Sequence, residues 1–169
     1  MRLDDEANVQ DSGGPIDILA QYFSAHGWSH EQDGDEEVVA TYQGSWAQYE
    51  LRGIWREEDW VLQFLALPDI RVAEDKRAAI YEVMGLINEQ LWIGHFELWS
   101  SAGMLLFRHS VLLDRGEDGT MTIDQAETLI EAAIDECERF YPVFQFVLWG
   151  DKTPKEAIAA ALIETQGEA

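Results

Sequence analysis

The sequence has few basic residues, one cysteine and no long apolar run, and each shortage excludes a class of protein. Eleven Lys and Arg stand against 33 Asp and Glu in 169 residues, for a formal net charge of -22. A chain this acidic lacks the basic surface that binds phosphates, so no nucleic-acid partner is expected. No apolar run approaches the roughly 20 residues that cross a membrane, so no membrane partner is expected either.

The single cysteine, Cys137, rules out an internal disulfide and is typical of a reducing compartment. The first residues, MRLDDEANVQ, lack the basic and apolar segments of a signal peptide. We therefore predict a cytoplasmic protein. Cys137 lies on the apolar side of a predicted helix among Asp135, Glu136 and Glu138. Burial and negative neighbours both raise a thiol pKa, so no nucleophilic role is predicted.

Composition divides the chain into an acidic tail, residues 1–14, and one domain, residues 15–169. The tail has few large apolar side chains and is predicted to be flexible. Its acidic residues are Asp4, Asp5, Glu6 and Asp11. The rest of the chain holds seven Trp, seven Phe and nearly all other large apolar residues, enough for one hydrophobic core.

Hydrophobic periodicity predicts an α+β domain, an antiparallel sheet flanked by helices in the order α-β-β-β-α-β-β-α-α. The predicted strands cover residues 36–42, 46–55, 60–67, 94–99 and 104–113. The predicted helices begin at Pro15 and Val72 and after the N-caps Thr122 and Thr153. Pro68 is expected to end the third strand, and Pro142 is expected to kink or break the long helix.

One acidic turn is similar to a calcium-binding loop. Asp114, Asp118 and Gly119 occupy the first, fifth and sixth positions of such a loop. Gly116 and Gln125 occupy the third and twelfth positions, where calcium needs oxygen ligands that they do not supply. The preceding residues VLLD also favour a strand over the entering helix. We predict an acidic turn followed by a capped helix, and no calcium site.

His95 and His109 are the best candidates for zinc ligands. If the hairpin pairs residues whose numbers sum to 204, the two histidines face each other, with Glu97 on the same face. A stable zinc site needs a third or fourth ligand, and Cys137 has no partner thiol. The preferred interpretation is two neutral rings satisfied within a sheet, so no metal is predicted.

No catalytic or cofactor motif is present in the sequence. Ser100 and Ser101 lie in a predicted turn without a Gly-x-Ser-x-Gly elbow, and no glycine-rich phosphate loop occurs. We predict no catalytic residue and no cofactor, and we do not expect an enzyme.

Apolar side chains are dense on both faces of two predicted strands, WVLQFLAL and MLLFRHSVLL. An antiparallel sheet with helices on one side needs apolar residues on one face only. Two alternatives stay open, a second helical layer or a dimer interface. The predicted partner contacts are the tryptophans Trp55, Trp60, Trp99 and Trp149.

Two stretches resemble a known family. They are GHFELWSSAGMLLFRHSVLL, residues 94–113, and ECERFYPVFQFVLWGDKTPKEAIAAAL, residues 136–162. They are similar to the YbjN family of bacterial proteins, described as sensory transduction regulators, and the order of elements extends the likeness from about Pro15 onward. The resemblance implies a fold similar to type III secretion chaperones, which dimerise and bind other polypeptides. It implies no catalytic residue.

The sequence therefore predicts a non-enzymatic regulatory or adaptor protein that binds another protein, as a homodimer. The resemblance adds a role in bacterial sensory transduction. The alternative is a small-molecule sensor with a pocket between sheet and helices, lined by Trp and Tyr.

Overall fold

One antiparallel sheet, with its strands in the order β1-β2-β3-β4-β6-β5, organises the structure. The computed structural model describes residues 13–115 and 121–166. The strands are β1 (His30–Asp33), β2 (Glu37–Gln43), β3 (Gln48–Arg56), β4 (Val61–Arg71), β5 (His95–Trp99) and β6 (Met104–Leu112). The helices are α1 (Pro15–Ala25), α2 (Arg77–Asn88), α3 (Ile123–Leu148) and α4 (Pro154–Gln166). The predicted α+β class and the antiparallel sheet are confirmed.

The edge strand β1 was not predicted from the sequence. Its four residues, HEQD, contain no apolar side chain, so hydrophobic periodicity gives no signal there. The strand pairs with β2 from His30 opposite Ala40 to Asp33 opposite Glu37. A short, charged edge strand is one way in which a sheet avoids pairing with other chains.

Strand β4 continues past Pro68, so the prediction that this proline ends the strand was wrong. Its pairing with β6 shifts register between Ala66 and Ile70, and Asp69 lies in the left-handed region with a φ of 58°. Pro68 has no N–H to donate to a ladder, and an interruption of the pairing is where a sheet tolerates it. The proline therefore marks a bulge within the strand.

Helix α3 begins as predicted and runs further than predicted. The Thr122 hydroxyl accepts from the Gln125 N–H at 3.1 Å, and the Gln125 side chain accepts from the Thr122 N–H at 2.9 Å. The helix then continues through Pro142 to Leu148, so the predicted break was wrong, and the alternative of a kink stays a prediction. Buried residues on both sides of the proline hold the helix in place and outweigh one lost hydrogen bond.

All the described helices contribute buried residues to a hydrophobic cluster on a single sheet face. That face supplies Val38, Leu51, Phe64 and Phe107 to the cluster. Leu65, Leu67 and Leu106 form a separate cluster on the opposite face, and every residue packed against it belongs to a strand. Within the described part of the chain, the alternative of a second helical layer is therefore wrong. We call this helix-free side the open face.

Candidate interaction surfaces

The leucines of the open face are buried although no described helix packs on them. Leu65 is 1% exposed and Leu106 is 0% exposed. In the sheet register, Leu65 lies directly between Arg52 of β3 and Arg108 of β6. The long methylene stems of arginine cover apolar neighbours while the charged ends stay in water. Side chains of the sheet itself therefore close this face.

Ion pairs hold both arginines across the sheet. Arg52 contacts Glu37 at 3.0 Å and Glu50 at 3.3 Å, so one guanidinium is shared by two carboxylates on neighbouring strands. Arg108 pairs with Glu97 of β5. Surface ion pairs contribute little to stability individually, but these hold in place the two arginines that flank Leu65 in the sheet register.

Glu97 is the centre of the second network. It accepts hydrogen bonds from the His95 ring at 2.7 Å and from the Trp99 indole N–H at 3.1 Å. Burial alone would raise the pKa of Glu97. The hydrogen bond from His95, the charge of Arg108 and the hydrogen bond from Trp99 outweigh that effect, and the pKa lies below its ordinary value.

The predicted pairing of His95 with His109 was wrong. His95 lies opposite Arg108, one residue away from the predicted register. Because side chains alternate along a strand, a slip of one residue places His109 on the helix-facing side. In the described residues, no group of three or more His, Cys, Asp and Glu could hold a metal ion.

A cavity of about 410 Å³ lies between the end of β6 and the beginning of α3. Most of its lining side chains are apolar, among them Val111, Leu113, Met121 and Leu129. The imidazole of His109 also lines it. Burial lowers the pKa of His109, and the charge of His95 lowers it further. The residues that line this cavity include none of the expected Trp and Tyr side chains.

The four predicted contact tryptophans fall into two groups. Trp55 and Trp60 are half-buried and pack edge to face on each other, with ring centroids 5.9 Å apart. Trp99 and Trp149 are exposed at the ends of β5 and α3. Their contact with a partner stays a prediction.

Sequence reasoning missed the most exposed apolar side chains. Trp92 is 100% exposed and Leu112 is 79% exposed, and Trp46 is also exposed. Trp92 lies in the connection between α2 and β5. A large apolar residue in a predicted connection, outside any periodic segment, was the available signal.

Cys137 is buried, and burial strongly raises the pKa of its thiol, with Glu138 and Glu136 adding to the effect. Cys137 thus lies on the buried side of α3, as its place on the apolar side of the predicted helix indicated. The calcium-like turn includes residues 116–120, which lie outside the described residues, as does most of the predicted tail. The segment before that turn is strand β6, as predicted. None of the helices described here has the length and apolar character to cross a membrane.

Comparison with protein families shows that residues 15–146 match the YbjN family. The chain belongs to the YbjN family. That family is described as "Putative bacterial sensory transduction regulator". The match spans most of the described residues, including both sheet faces.

A solved structure of another YbjN protein has the same fold. It is the crystal structure of "YbjN, a putative transcription regulator from E. coli", which aligns with a TM-score of 0.51. The alignment covers 73% of this chain and 85% of that one, at 12% sequence identity. No curated protein sequence matches this chain.

Proposed function

We propose that this YbjN-family chain is a non-enzymatic, cytoplasmic regulator that acts by binding another protein, and that it forms a homodimer. The observation that carries the proposal is the exposure of large apolar side chains. Trp92 is fully exposed, Leu112 is 79% exposed and Trp149 is 63% exposed. Aromatic residues are enriched at protein interfaces, and their exposure on a free surface marks a partner site.

The open face of the sheet is a weaker candidate for partner contact than these exposed side chains. Its leucines are already covered, so a partner would remove little apolar surface from water by packing there. Of the predicted contacts, Trp99 and Trp149 fit the proposal better than Trp55 and Trp60, whose rings already pack on each other.

Charge favours a partner with a basic surface. At a net charge of -22, the long-range field attracts basic proteins and speeds their encounter at low salt. The same charge opposes the formation of a homodimer, because the two copies repel each other. We therefore expect self-association to strengthen with added salt. At 0.1 M, ions largely screen the repulsion between charges more than about 10 Å apart. Light scattering at low and high salt measures this mass directly.

Site-specific photo-cross-linking in bacterial cells tests the proposal. A benzoylphenylalanine at position 92 or 149 should give adducts above the 19.2 kDa chain mass, and Glu57, an exposed charged position, serves as the control. Adducts with a second copy would support the dimer, and adducts with a different protein would support the regulator. Equal labelling at all three positions, or none at 92 and 149, would contradict the proposal.

The apolar cavity between β6 and α3 favours a second candidate, a sensor of small amphipathic molecules. Its aliphatic walls and single half-buried histidine suit a chain with a polar head. Decanoic acid is a suitable probe. It should raise the melting temperature of the wild type but not of Thr128→Phe, which fills the rim from an exposed helix position. No shift with the wild type would exclude this candidate.

A further inference from the structure

A fully exposed tryptophan lies beside the apolar cavity between β6 and α3. Trp92 is 100% exposed, and the next residue along the chain, Ile93, lines the cavity. Leu112 also lines the cavity and is 79% exposed, so apolar surface continues from the cavity to its rim. One region of the molecule thus presents both a large exposed ring and an apolar hollow that this ring does not fill.

The apolar cavity suits an indole side chain in size and in chemistry. Its volume of about 410 Å³ leaves room for one such ring, and most of its lining side chains are apolar. A buried indole N–H needs an acceptor. The Asp124 carboxylate and the Thr128 hydroxyl both line the cavity. The hydroxyl donates to the Asp124 carbonyl at 3.0 Å, so its oxygen is still able to accept an N–H.

Charge favours a second copy of the chain over a basic partner at this surface. The net charge of -22 makes two copies repel each other, and charged residues make up 26% of the chain. The segments around the cavity, residues 90–96, 109–113 and 121–123, nevertheless contain no Asp, Glu, Lys or Arg. Two copies can therefore meet through these segments without placing carboxylates against each other. The scarcity of charge is also typical of the core of an interface.

Two-fold symmetry would use the ring and the cavity together. In a symmetric dimer, each contact that one copy makes with the other is repeated in the reverse direction. Because Trp92 and the cavity lie side by side, one symmetric interface can contain both. We propose that a second copy of this chain covers this surface, and that Trp92 of each copy inserts into the apolar cavity of the other. The inference rests on the proposed function and specifies the interface of its homodimer.

Sedimentation equilibrium of two variants tests the insertion, at about 0.5 M salt, where repulsion between the copies is screened. Trp92→Ala removes the ring, and Thr128→Phe fills the cavity from an exposed position of α3. Each variant should raise the dissociation constant of the dimer by about 30-fold or more, the loss expected when a central tryptophan contact is removed.

Trp149→Ala is the matched control. It also removes an exposed tryptophan, but Trp149 follows the last residue of α3, whereas the cavity lies at the beginning of that helix. The 26 residues of α3 separate the two sites by about 39 Å. The control should therefore change the dissociation constant little, and equal weakening by Trp92→Ala and Trp149→Ala would overturn the proposal.

A mixture of the two variants gives the sharper test. Neither variant alone can make the contact, because Trp92→Ala lacks the ring and Thr128→Phe lacks the cavity. A heterodimer regains one contact, in which Trp92 of the Thr128→Phe chain enters the intact cavity of the Trp92→Ala chain. The mixture should therefore associate more tightly than either variant alone, which a general loss of stability could not produce. No gain on mixing would overturn the insertion.

Other occupants of this surface would give different results. If decanoic acid binds in the cavity and leaves the dimer intact, the cavity takes a small molecule and the proposal is wrong. A dimer that tolerates Trp92→Ala would have its interface elsewhere, so the insertion would fail while the proposed homodimer stands. A chain that stays monomeric at every salt concentration would overturn both, and cross-links from position 149 to a different protein would still support the regulator.

Discussion

The two faces of the sheet bury leucines by different means. Leu105 and Leu106 are neighbours on β6, and both are 0% exposed. Leu105 packs into the cluster that the helices share, whereas Leu106 lies among strand residues on the open face. Apolar helices close one face, and side chains of the strands themselves close the other. Apolar residues on both faces of a strand therefore do not by themselves require a second layer or a partner.

The largest expected effect is a difference in stability between the alanine variants of these two leucines. Leu105→Ala should cost about 4 kcal/mol, because a cavity enclosed by helices and sheet cannot collapse. Leu106→Ala should cost about 2 kcal/mol, because the flexible side chains above it can settle into the space. Urea denaturation of both variants measures the difference. Equal losses would show that the open face is as rigid as the covered face.

The outer edge of the sheet, where both faces meet, should give the next largest effect. The Asn88 side chain accepts from the Phe96 N–H at 2.8 Å and donates to the Phe96 carbonyl at 3.2 Å. The Asn88 amide thus makes the two hydrogen bonds to Phe96 that a further strand beside β5 would make. Asn88→Ala should cost about 2 kcal/mol and expose this edge to other chains. Denaturation and light scattering measure both effects.

Asn88→Asp is the matched control for the edge. It keeps an acceptor for the Phe96 N–H and loses the donor to the carbonyl, so the loss of stability should be smaller. If the alanine variant is as stable and as monodisperse as the wild type, Asn88 neither stabilises this edge nor prevents its pairing with other chains.

A smaller effect should come from the arginine stems. Arg108→Ala removes both the charge and the cover beside Leu65, whereas Arg108→Met removes the charge and keeps most of the stem. If the stems close the open face, Arg108→Ala should cost about 1 kcal/mol and Arg108→Met clearly less. The free energies of unfolding of the two variants, measured in urea, distinguish the effect of the stem from that of the charge. Equal losses would assign the effect to the ion pair alone.

The smallest effect should be a pH dependence centred on Glu97. A carboxyl whose pKa is lower in the folded state stabilises the fold above its unfolded pKa, ordinarily 4.5, and that contribution disappears as the pH falls through the folded value. Below pH 4.5, the wild type should therefore lose stability relative to Glu97→Gln. Parallel stability curves for the two proteins would contradict the network around Glu97.

The sequence predicted the elements that have a clear period or a cap. The helix of Thr122 and Gln125 begins at its capping box, and Thr153 caps α4 through the Glu156 N–H at 3.3 Å. Both signals are local, so they need no knowledge of the fold. The polar strand β1 and the bulge at Pro68 depend on pairing with neighbouring strands, which no local pattern encodes.

The register of the β5–β6 hairpin shows the same limit. Strand β6 is apolar on both faces, so its pattern does not determine which residues face the helices. The predicted register was wrong by one residue, which exchanged Arg108 for His109 opposite His95. Because of this shift, His95 lies opposite Arg108, and both pair with Glu97, whereas the predicted register would have placed two conceivable metal ligands opposite each other.

The candidate sites were predictable only in part. Exposed Trp99 and Trp149 were among the predicted contacts, and a cavity between sheet and helices was anticipated. Trp92 was not among the predicted contacts, because its full exposure depends on how the connection between α2 and β5 lies on the folded domain.

The most direct test of the account is the solvent accessibility of the leucine methyl groups, measured by NMR with a soluble paramagnetic probe. The protein concentration should be one at which light scattering gives the 19.2 kDa monomer, so that no second copy covers the sheet. If strand side chains close the open face, the methyl groups of Leu65 and Leu106 should relax as slowly as those of Leu105. Fast relaxation of Leu65 and Leu106 would show that the open face is exposed and available to a partner, which would contradict the account.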